Sequence, residues 1–174
     1  MAGRALVVHA HPEPQSFCTA MFRVAVDGLR AAGWAVETSD LHAMGFNPVA
    51  SATDFTVRSQ PDYLVYALEQ RHGAESGTLA PDIRAEIAKV QAADLLVLVF
   101  PLWWFSVPAM LKGWIDRVFV SGIFYGGRRI YGEGGLRGKR ALVGVTLGGR
   151  EHMFGPGALH GGLGAESDAM LRPL

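Results

Sequence analysis

The sequence predicts one three-layer α/β domain, spanning residues 1–174, built on a doubly wound parallel sheet. Short apolar runs typical of buried strands alternate along the chain with helical patterns, an order that predicts parallel strands joined by right-handed crossovers. A chain of 174 residues is long enough for one domain with a hydrophobic core. Hydrophobic residues make up 49% and charged residues 18%, a composition that excludes a disordered chain.

The first predicted elements are a buried strand, a capped helix and a strand with one solvent-exposed face. Residues 5–8 form a continuous apolar run, as expected of a parallel strand buried on both faces. Ser16 is placed to cap a helix whose apolar residues recur at helical spacing, and Gly33 provides its stop. Residues 34–38 alternate more strongly, which predicts an edge strand with one solvated face.

A polar segment, residues 40–77, separates this part from the next strand. It carries turn signals at Gly73 and Gly77, and we expect a short helix near residues 62–70. The segment is unusually long for a connection, so it is expected to contribute to a site or an interface. A helix over residues 81–91 follows, with proline in its first turn.

The second half of the chain supplies two more strands. Residues 95–100 are predicted as the central strand, and a helix is expected from Ser106 onward. A glycine-rich loop over residues 122–138 leads to a last apolar strand at residues 141–145. The helix after the central strand is expected to turn one apolar face inward and to place on its polar face Lys112, Asp116 and Arg117.

The last apolar strand, residues 141–145, would be a poor exposed edge, because a strand without polar residues implies cover on both faces. A further helix is expected to begin near residues 168–171. We therefore expect the chain to be truncated at its C-terminus, without a fifth strand and a last helix. The alternative is that a partner supplies the missing cover.

The charge and cysteine content exclude several functions. Acidic and basic residues number 16 each, so no global field attracts nucleic acid or an anionic membrane. The single cysteine, Cys18, excludes a disulfide framework. No export signal and no apolar run of about 20 residues is present, which predicts a soluble cytoplasmic protein without membrane insertion. No metal site is predicted, because no cluster of carboxylates or thiolates joins His9 and His11.

Three loops leave the carboxyl ends of the predicted strands and converge at one rim of the sheet, where open α/β sheets bind ligands. Residues 11–18 lead into a helix N-terminus that suits a phosphate, and Ser16 adds a hydroxyl. Residues 101–106 supply an aromatic wall, and residues 146–149 let the backbone approach a ring edge closely. Together they predict a flavin nucleotide site, although each loop alone also fits an ordinary turn or core residues.

Several segments then identify a family by their order, spacing and flanking strands. They are residues 5–11, 39–48, 79–83, 100–114, 146–149 and 159–161. With them, nearly the whole chain resembles the NAD(P)H:quinone oxidoreductase (DT-diaphorase) family of flavodoxin-like proteins. The resemblance implies a sheet of order 2-1-3-4-5, tightly bound FAD, and a homodimer with its substrate site at the subunit interface. It also implies a ping-pong reaction, in which NAD(P)H gives a hydride to the flavin and a quinone then takes two electrons.

The resemblance also implies which residues serve the site. Tyr125 and Tyr131 are assigned to the substrate pocket, and the catalytic positions fall on His160 and Phe154. The nucleotide phosphates, the flavin ring and its pyrimidine side are together assigned to His11, Ser16, Phe17, Cys18, Pro101, Leu102, Trp103, Trp104, Phe105, Thr146, Leu147, Gly148 and Gly149.

Three of these positions need separate comment, because one has little support from its local pattern and two differ from the common family residue. A lone histidine on a loop is usually just exposed, so His160 enters the site through the resemblance and not through its local pattern. Phe154 stands where the family commonly has a catalytic tyrosine, and it has no hydroxyl to donate. Cys18 replaces a common asparagine, a change that a backbone contact would tolerate.

Three other functions are compatible with this fold. One is an FMN-dependent reductase of azo dyes or nitroaromatics, although the long segment over residues 40–77 favours the FAD type. A regulatory flavoprotein of a potassium-efflux antiporter would share the aromatic loop and a phenylalanine at Phe154, but such proteins generally lack the long segment. An electron-carrying flavodoxin is disfavoured, because the chain is not acidic and has no Thr/Ser-rich phosphate loop.

Overall fold

The computed structural model describes residues 2–155 and 157–158. Its centre is a four-stranded sheet in which every pairing between neighbouring strands is parallel, in the order β2-β1-β3-β4. This architecture confirms the predicted doubly wound α/β class. The strands are β1 (Arg4–His9), β2 (Ala35–Asp40), β3 (Leu95–Pro101) and β4 (Arg140–Thr146), and the helices are α1 (Phe17–Ala31), α2 (Tyr66–Ser76), α3 (Pro81–Ala92) and α4 (Ala109–Val118).

Strands β1 and β3 form the buried middle of the sheet, as their continuous apolar runs predict. Side chains alternate between the two faces of a strand, so each face receives its own cluster. Leu6 and Val8 pack on one side with residues of α3 and α4, including Trp114. Val7 packs on the other side against α1. Helices therefore cover both faces and produce three layers.

Helix α1 begins and ends where the sequence predicts. The hydroxyl oxygen of Ser16 accepts a hydrogen bond of 3.1 Å from the backbone N–H of Thr19, which satisfies one of the free amides of the first turn. Gly33 follows the helix with a φ of 83°, a left-handed conformation that glycine adopts without steric cost.

The expected helix near residues 62–70 is wrong in its bounds, because α2 runs over Tyr66–Ser76. Gly73 lies inside this helix and is not a turn residue. A Cβ there would come within 2.8 Å of Leu79 Cδ2, so glycine is required by close packing. Gly77, with a φ of 73°, ends the helix instead.

Helix α4 differs from its prediction at the start and on its polar face. It begins at Ala109 and not at Ser106, because Pro108 disfavours helical geometry at Val107. Arg117 is wrongly assigned to a solvated face, since only 3% of its side chain is exposed. Its guanidinium donates two hydrogen bonds to Asp54, with Nε to Oδ2 at 3.1 Å and Nη2 to Oδ1 at 2.8 Å.

This buried ion pair attaches the long polar segment to the body of the domain. Arg117 Nη1 also donates to Asp82 Oδ2 and to the carbonyl of Asn47, each at 2.8 Å. Tyr66 Oη donates to Asp54 Oδ2 at 2.5 Å. The segment is thus packed against α3 and α4 by one shared set of charged groups.

Strand β4 forms one edge of the sheet within the described residues. Leu142 is 56% exposed there, although its strand is apolar throughout. The helix expected near residues 168–171 lies outside the described residues. Among the helices that the structure describes, none has the length and apolar character needed to cross a membrane.

Candidate functional site

A cleft of about 300 Å³ lies at the carboxyl ends of β1, β3 and β4. All ten residues that line it belong to the cofactor set predicted from the sequence. The convergence of the three loops follows from parallel strands ending at one edge of the sheet. The lining consists of His11, Ser16, Phe17, Cys18, Pro101, Leu102, Trp103, Thr146, Leu147 and Gly148.

One end of the cleft is the N-terminus of α1, which suits an anion. Ser16, Phe17 and Cys18 line the cleft there, and the first turn of the helix contains no acidic residue. The first amides of a helix have no acceptor within it, and the helix dipole favours negative charge at this end. Among the described residues that line the cleft there is no carboxylate to oppose a phosphate.

The aromatic loop between β3 and α4 is a tight turn. Trp103 and Ser106 exchange backbone hydrogen bonds, with N···O distances of 3.1 and 3.0 Å. The two central residues, Trp104 and Phe105, have φ values of 53° and 55°. Turns with positive φ at both central positions usually contain glycine or asparagine, so two aromatic residues are held there against a steric cost. Backbone strain of this kind is concentrated at ligand sites.

Only one aromatic side chain of this turn lines the cleft itself. Trp103 does so, with its ring 6.1 Å from that of His11, centroid to centroid. Trp104 is 97% exposed and lies outside the lining, as does the half-exposed Phe105. The predicted contact of these two residues with a flavin ring therefore stays a prediction.

The loop after β4, residues 146–149, is hydrogen-bonded through its backbone to the loop after β3, residues 101–106. The N–H of Leu102 donates to the carbonyl of Thr146 at 2.7 Å, which holds the two loops together. A Cβ on Gly149 would come within 2.6 Å of Phe154 Cε2, so glycine at this position lets the ring of Phe154 lie against the loop. His160 lies outside the described residues.

Cys18 combines a place in the cleft with a buried thiol. Burial raises the pKa of this thiol above its ordinary value, and a hydrogen bond with Thr146 opposes that rise only in part. The neutral thiol is therefore the dominant form at neutral pH, and Cys18 contributes packing to the cleft floor.

The two predicted substrate residues, Tyr125 and Tyr131, line a second cavity of about 770 Å³. This cavity shares no lining residue with the cleft. Sequence reasoning missed Gln70, a buried side chain whose Oε1 accepts a hydrogen bond of 3.2 Å from Tyr125 Oη. No local pattern could have found this pair, because its two residues are 55 positions apart.

Within the part of the chain that the structure describes, no three His, Cys, Asp or Glu side chains are placed to hold a metal ion. His9 and His11 both lie near the cleft. The ring of His11 lines it, and its Nδ1 accepts a hydrogen bond of 3.0 Å from the N–H of Glu13.

Comparison with known proteins places these features in a family. A family model described as flavodoxin-like fold matches residues 3–174. The chain is 43% identical over 159 residues to rat NAD(P)H dehydrogenase [quinone] 1, covering 91% of this chain and 58% of that protein. It is 45% identical to human ribosyldihydronicotinamide dehydrogenase [quinone], covering 88% of this chain and 68% of that protein. The chain thus spans little more than half the length of the rat relative.

Two solved structures resemble the fold closely. A Klebsiella pneumoniae protein assigned as a quinone reductase superimposes with a TM-score of 0.88 at 37% identity, covering 95% of this chain and 67% of that one. An NAD(P)H:quinone oxidoreductase from Methanothermobacter marburgensis gives a TM-score of 0.66 at 31% identity, covering 87% and 67%.

Proposed function

Because this chain belongs to the family with the flavodoxin-like fold, we propose that it is an NAD(P)H-dependent flavoprotein that reduces a quinone by two electrons through bound FAD. The observation that carries the proposal is the cleft, whose ten lining residues all belong to the set expected to hold a flavin nucleotide. The similarity to proteins named as quinone dehydrogenases and oxidoreductases supports the same reaction.

The residues of the cleft fit the phosphates and the ring system of such a cofactor. The N-terminus of α1 and the Ser16 hydroxyl would bind the phosphates, and the lining residues that the structure describes include no carboxylate. Trp103 would cover one face of the ring system, and the backbone from Thr146 to Gly149 would approach its edge. The long segment over residues 40–77, held by the ion pair between Asp54 and Arg117, favours FAD over the smaller FMN.

When bound, the flavin supplies hydride chemistry, accepting two electrons from NAD(P)H and passing them to a quinone in a ping-pong sequence. The protein contributes position and polarity. Trp103 closes one face of the cleft to water and leaves the other for donor and acceptor in turn. Phe154 has no hydroxyl, so hydrogen bonding to the site falls to His160 and to the backbone amides of the third loop.

A homodimer would complete this site. Tyr125 and Tyr131 line a cavity that shares no described lining residue with the cleft of the same chain, so we assign their contact with a substrate in the cleft to a second copy. Tyr131 is 98% exposed, as expected of a residue that meets its ligand at an interface. We therefore place the quinone and the nicotinamide between two subunits.

The proposal is tested on the purified chain. Flavin released by denaturation is identified by chromatography, and oxidation of NADH and NADPH is followed with 1,4-benzoquinone as acceptor. We expect FAD and acceptor-dependent oxidation. Release of FMN would favour the azo- or nitroreductase alternative, and flavin binding without turnover would favour the regulatory one. Absence of flavin affinity would contradict the proposal.

A variant of the cleft wall sharpens this test. Trp103→Leu should weaken FAD binding about tenfold, which corresponds to roughly 1.4 kcal/mol, because an aliphatic side chain loses stacking on the ring. Trp34→Leu is the matched control, since Trp34 precedes β2 at the opposite end of the strands. Dissociation constants from flavin fluorescence should change for the first variant and not for the second. Equal affinities would remove Trp103 from the binding wall.

A further inference from the structure

Behind the phosphate end of the cleft, three polar side chains form a chain that leads away from the ligand site. Ser16 Oγ, at the cleft, lies 3.0 Å from Thr19 Oγ1. Thr19 Oγ1 lies 3.3 Å from Nε2 of His9. His9 is 1% exposed, and its ring stacks on Phe22 with centroids 4.7 Å apart. On the far side of that ring, Nδ1 lies 3.4 Å from Asp40 Oδ2 without forming a hydrogen bond.

One carbonyl group determines which side chain donates and which accepts in each of these hydrogen bonds. Thr19 Oγ1 lies 2.8 Å from the carbonyl oxygen of Glu13, which only accepts, so the single hydroxyl proton of Thr19 is donated there. Ser16 and His9 must therefore donate to Thr19 Oγ1. In this arrangement a neutral His9 carries its proton on Nε2, and its Nδ1 faces the Asp40 carboxylate at 3.4 Å.

We propose that His9 and Thr19 are positioning residues for the Ser16 hydroxyl, and that His9 provides a protonatable group two hydrogen bonds behind the phosphate of a bound flavin nucleotide. This inference rests on the proposed function. When a phosphate binds, Ser16 turns its proton to the ligand, and the His9 N–H still satisfies Thr19. Protonation of His9 adds a proton on Nδ1 facing Asp40, and the added charge favours an anionic ligand.

The groups around His9 determine the pH at which this charge appears. Burial lowers the pKa of His9 below its ordinary value of 6.5, and the nearby Asp40 opposes the shift without cancelling it. His11 and His42 are the other titratable groups that act on it, and both lower its pKa. From helix α1, the uncharged Thr19 and Phe22 contact its ring. Affinity for an anion should thus be constant above pH 6.5 and should increase as the pH falls further.

The test measures dissociation constants for FAD and for riboflavin, which has no phosphate, between pH 5 and 8. In the unmodified protein, FAD should bind on the order of fivefold more tightly at pH 5 than at pH 7.5, because the new charge acts at short range in a partly buried site. Riboflavin affinity should not change in parallel. His9→Gln retains an N–H donor for Thr19 but never becomes charged, so it should keep the affinity at pH 7.5 and reduce the pH dependence.

His9→Leu removes the donor as well and should weaken FAD binding about fivefold already at pH 7.5, because Thr19 loses its second donor. His72→Gln is the matched control, because His72 lies in helix α2 and is not among the groups that shift the pKa of His9. It should retain the pH profile of the unmodified protein. His11 is present in every variant, so the comparison between variants reports on position 9 alone. Nitrogen-15 shifts of His9 in the unmodified protein, which require no variant, should report the Nε2–H tautomer.

An unchanged pH profile in His9→Gln, a parallel profile for riboflavin, or an Nδ1–H tautomer would each overturn the inference while FAD binding and quinone turnover remain intact. If neither FAD nor riboflavin binds to the folded protein at any pH, the proposed function itself fails. The two failures are therefore distinguishable by whether the unmodified protein binds flavin at all.

Discussion

Arg117→Met should lower the free energy of unfolding by about 3–5 kcal/mol, because it leaves a buried carboxylate without its charge partner. Asp54 is 1% exposed and receives two of the hydrogen bonds of the guanidinium, and Tyr66 provides its only other side-chain donor among the described residues. Asp82 and the carbonyl of Asn47 lose a donor in the same change. The variant should therefore also loosen the attachment of the long segment over residues 40–77.

Urea denaturation, followed by circular dichroism, measures this loss. Lys112→Met is the control, because Lys112 pairs with Asp116 on the same helix but is 60% exposed, and exposed pairs contribute at most about 1 kcal/mol. Adding Asp54→Asn to Arg117→Met should recover part of the stability, since the uncompensated charge is then removed. Equal destabilisation by the Arg117 and Lys112 variants would show that the buried pair contributes no more than a surface one.

Gly113→Ala should destabilise the protein by about 1–3 kcal/mol or more, because helix α4 touches the backbone of the long segment at this position. A Cβ on Gly113 would lie 2.0 Å from the carbonyl oxygen of Pro48 and 2.5 Å from its Cα. Neither atom belongs to a flexible side chain, so the helix or the segment must move. The added methyl group should therefore push helix α4 and the long segment apart.

Gly28→Ala is the matched control for that change. Gly28 lies in helix α1, and a Cβ there would meet nothing within 4 Å. The same substitution should thus raise the free energy of unfolding by about 0.5–1 kcal/mol, because alanine favours the helix over glycine. Thermal melts of both variants should shift in opposite directions. Shifts in the same direction would contradict the close contact at Pro48.

Much of the cleft could be predicted because its residues follow strands whose pattern is local. Apolar runs identify β1, β3 and β4, and the ends of parallel strands meet at one edge of a sheet. The loops after them must then come together, whatever the details of the connections. This is why the lining of the cleft contains only residues that the sequence had already indicated.

Other features could not be predicted, because they depend on residues distant in sequence. The periodicity of α4 places Arg117 on a polar face, but Asp54, 63 positions away, makes a buried position favourable for it. Gly73 resembles a turn signal in the sequence, but in the structure it is a helix residue against which the side chain of Leu79 packs. The separation of Tyr125 from the cleft likewise follows from the path of the loop and not from its composition.

The sequence by itself determined the fold class, the strand ends and the identity of the residues around the cleft, since periodicity and loop composition act over short distances along the chain. Only the tertiary structure decided which polar groups are buried together, namely Arg117 with Asp54, Gln70 with Tyr125, and His9 with Thr19. A buried polar side chain is stable only beside a matching partner. Packing between elements brings that partner into place, and because the two residues are distant in sequence, local periodicity cannot identify the pair.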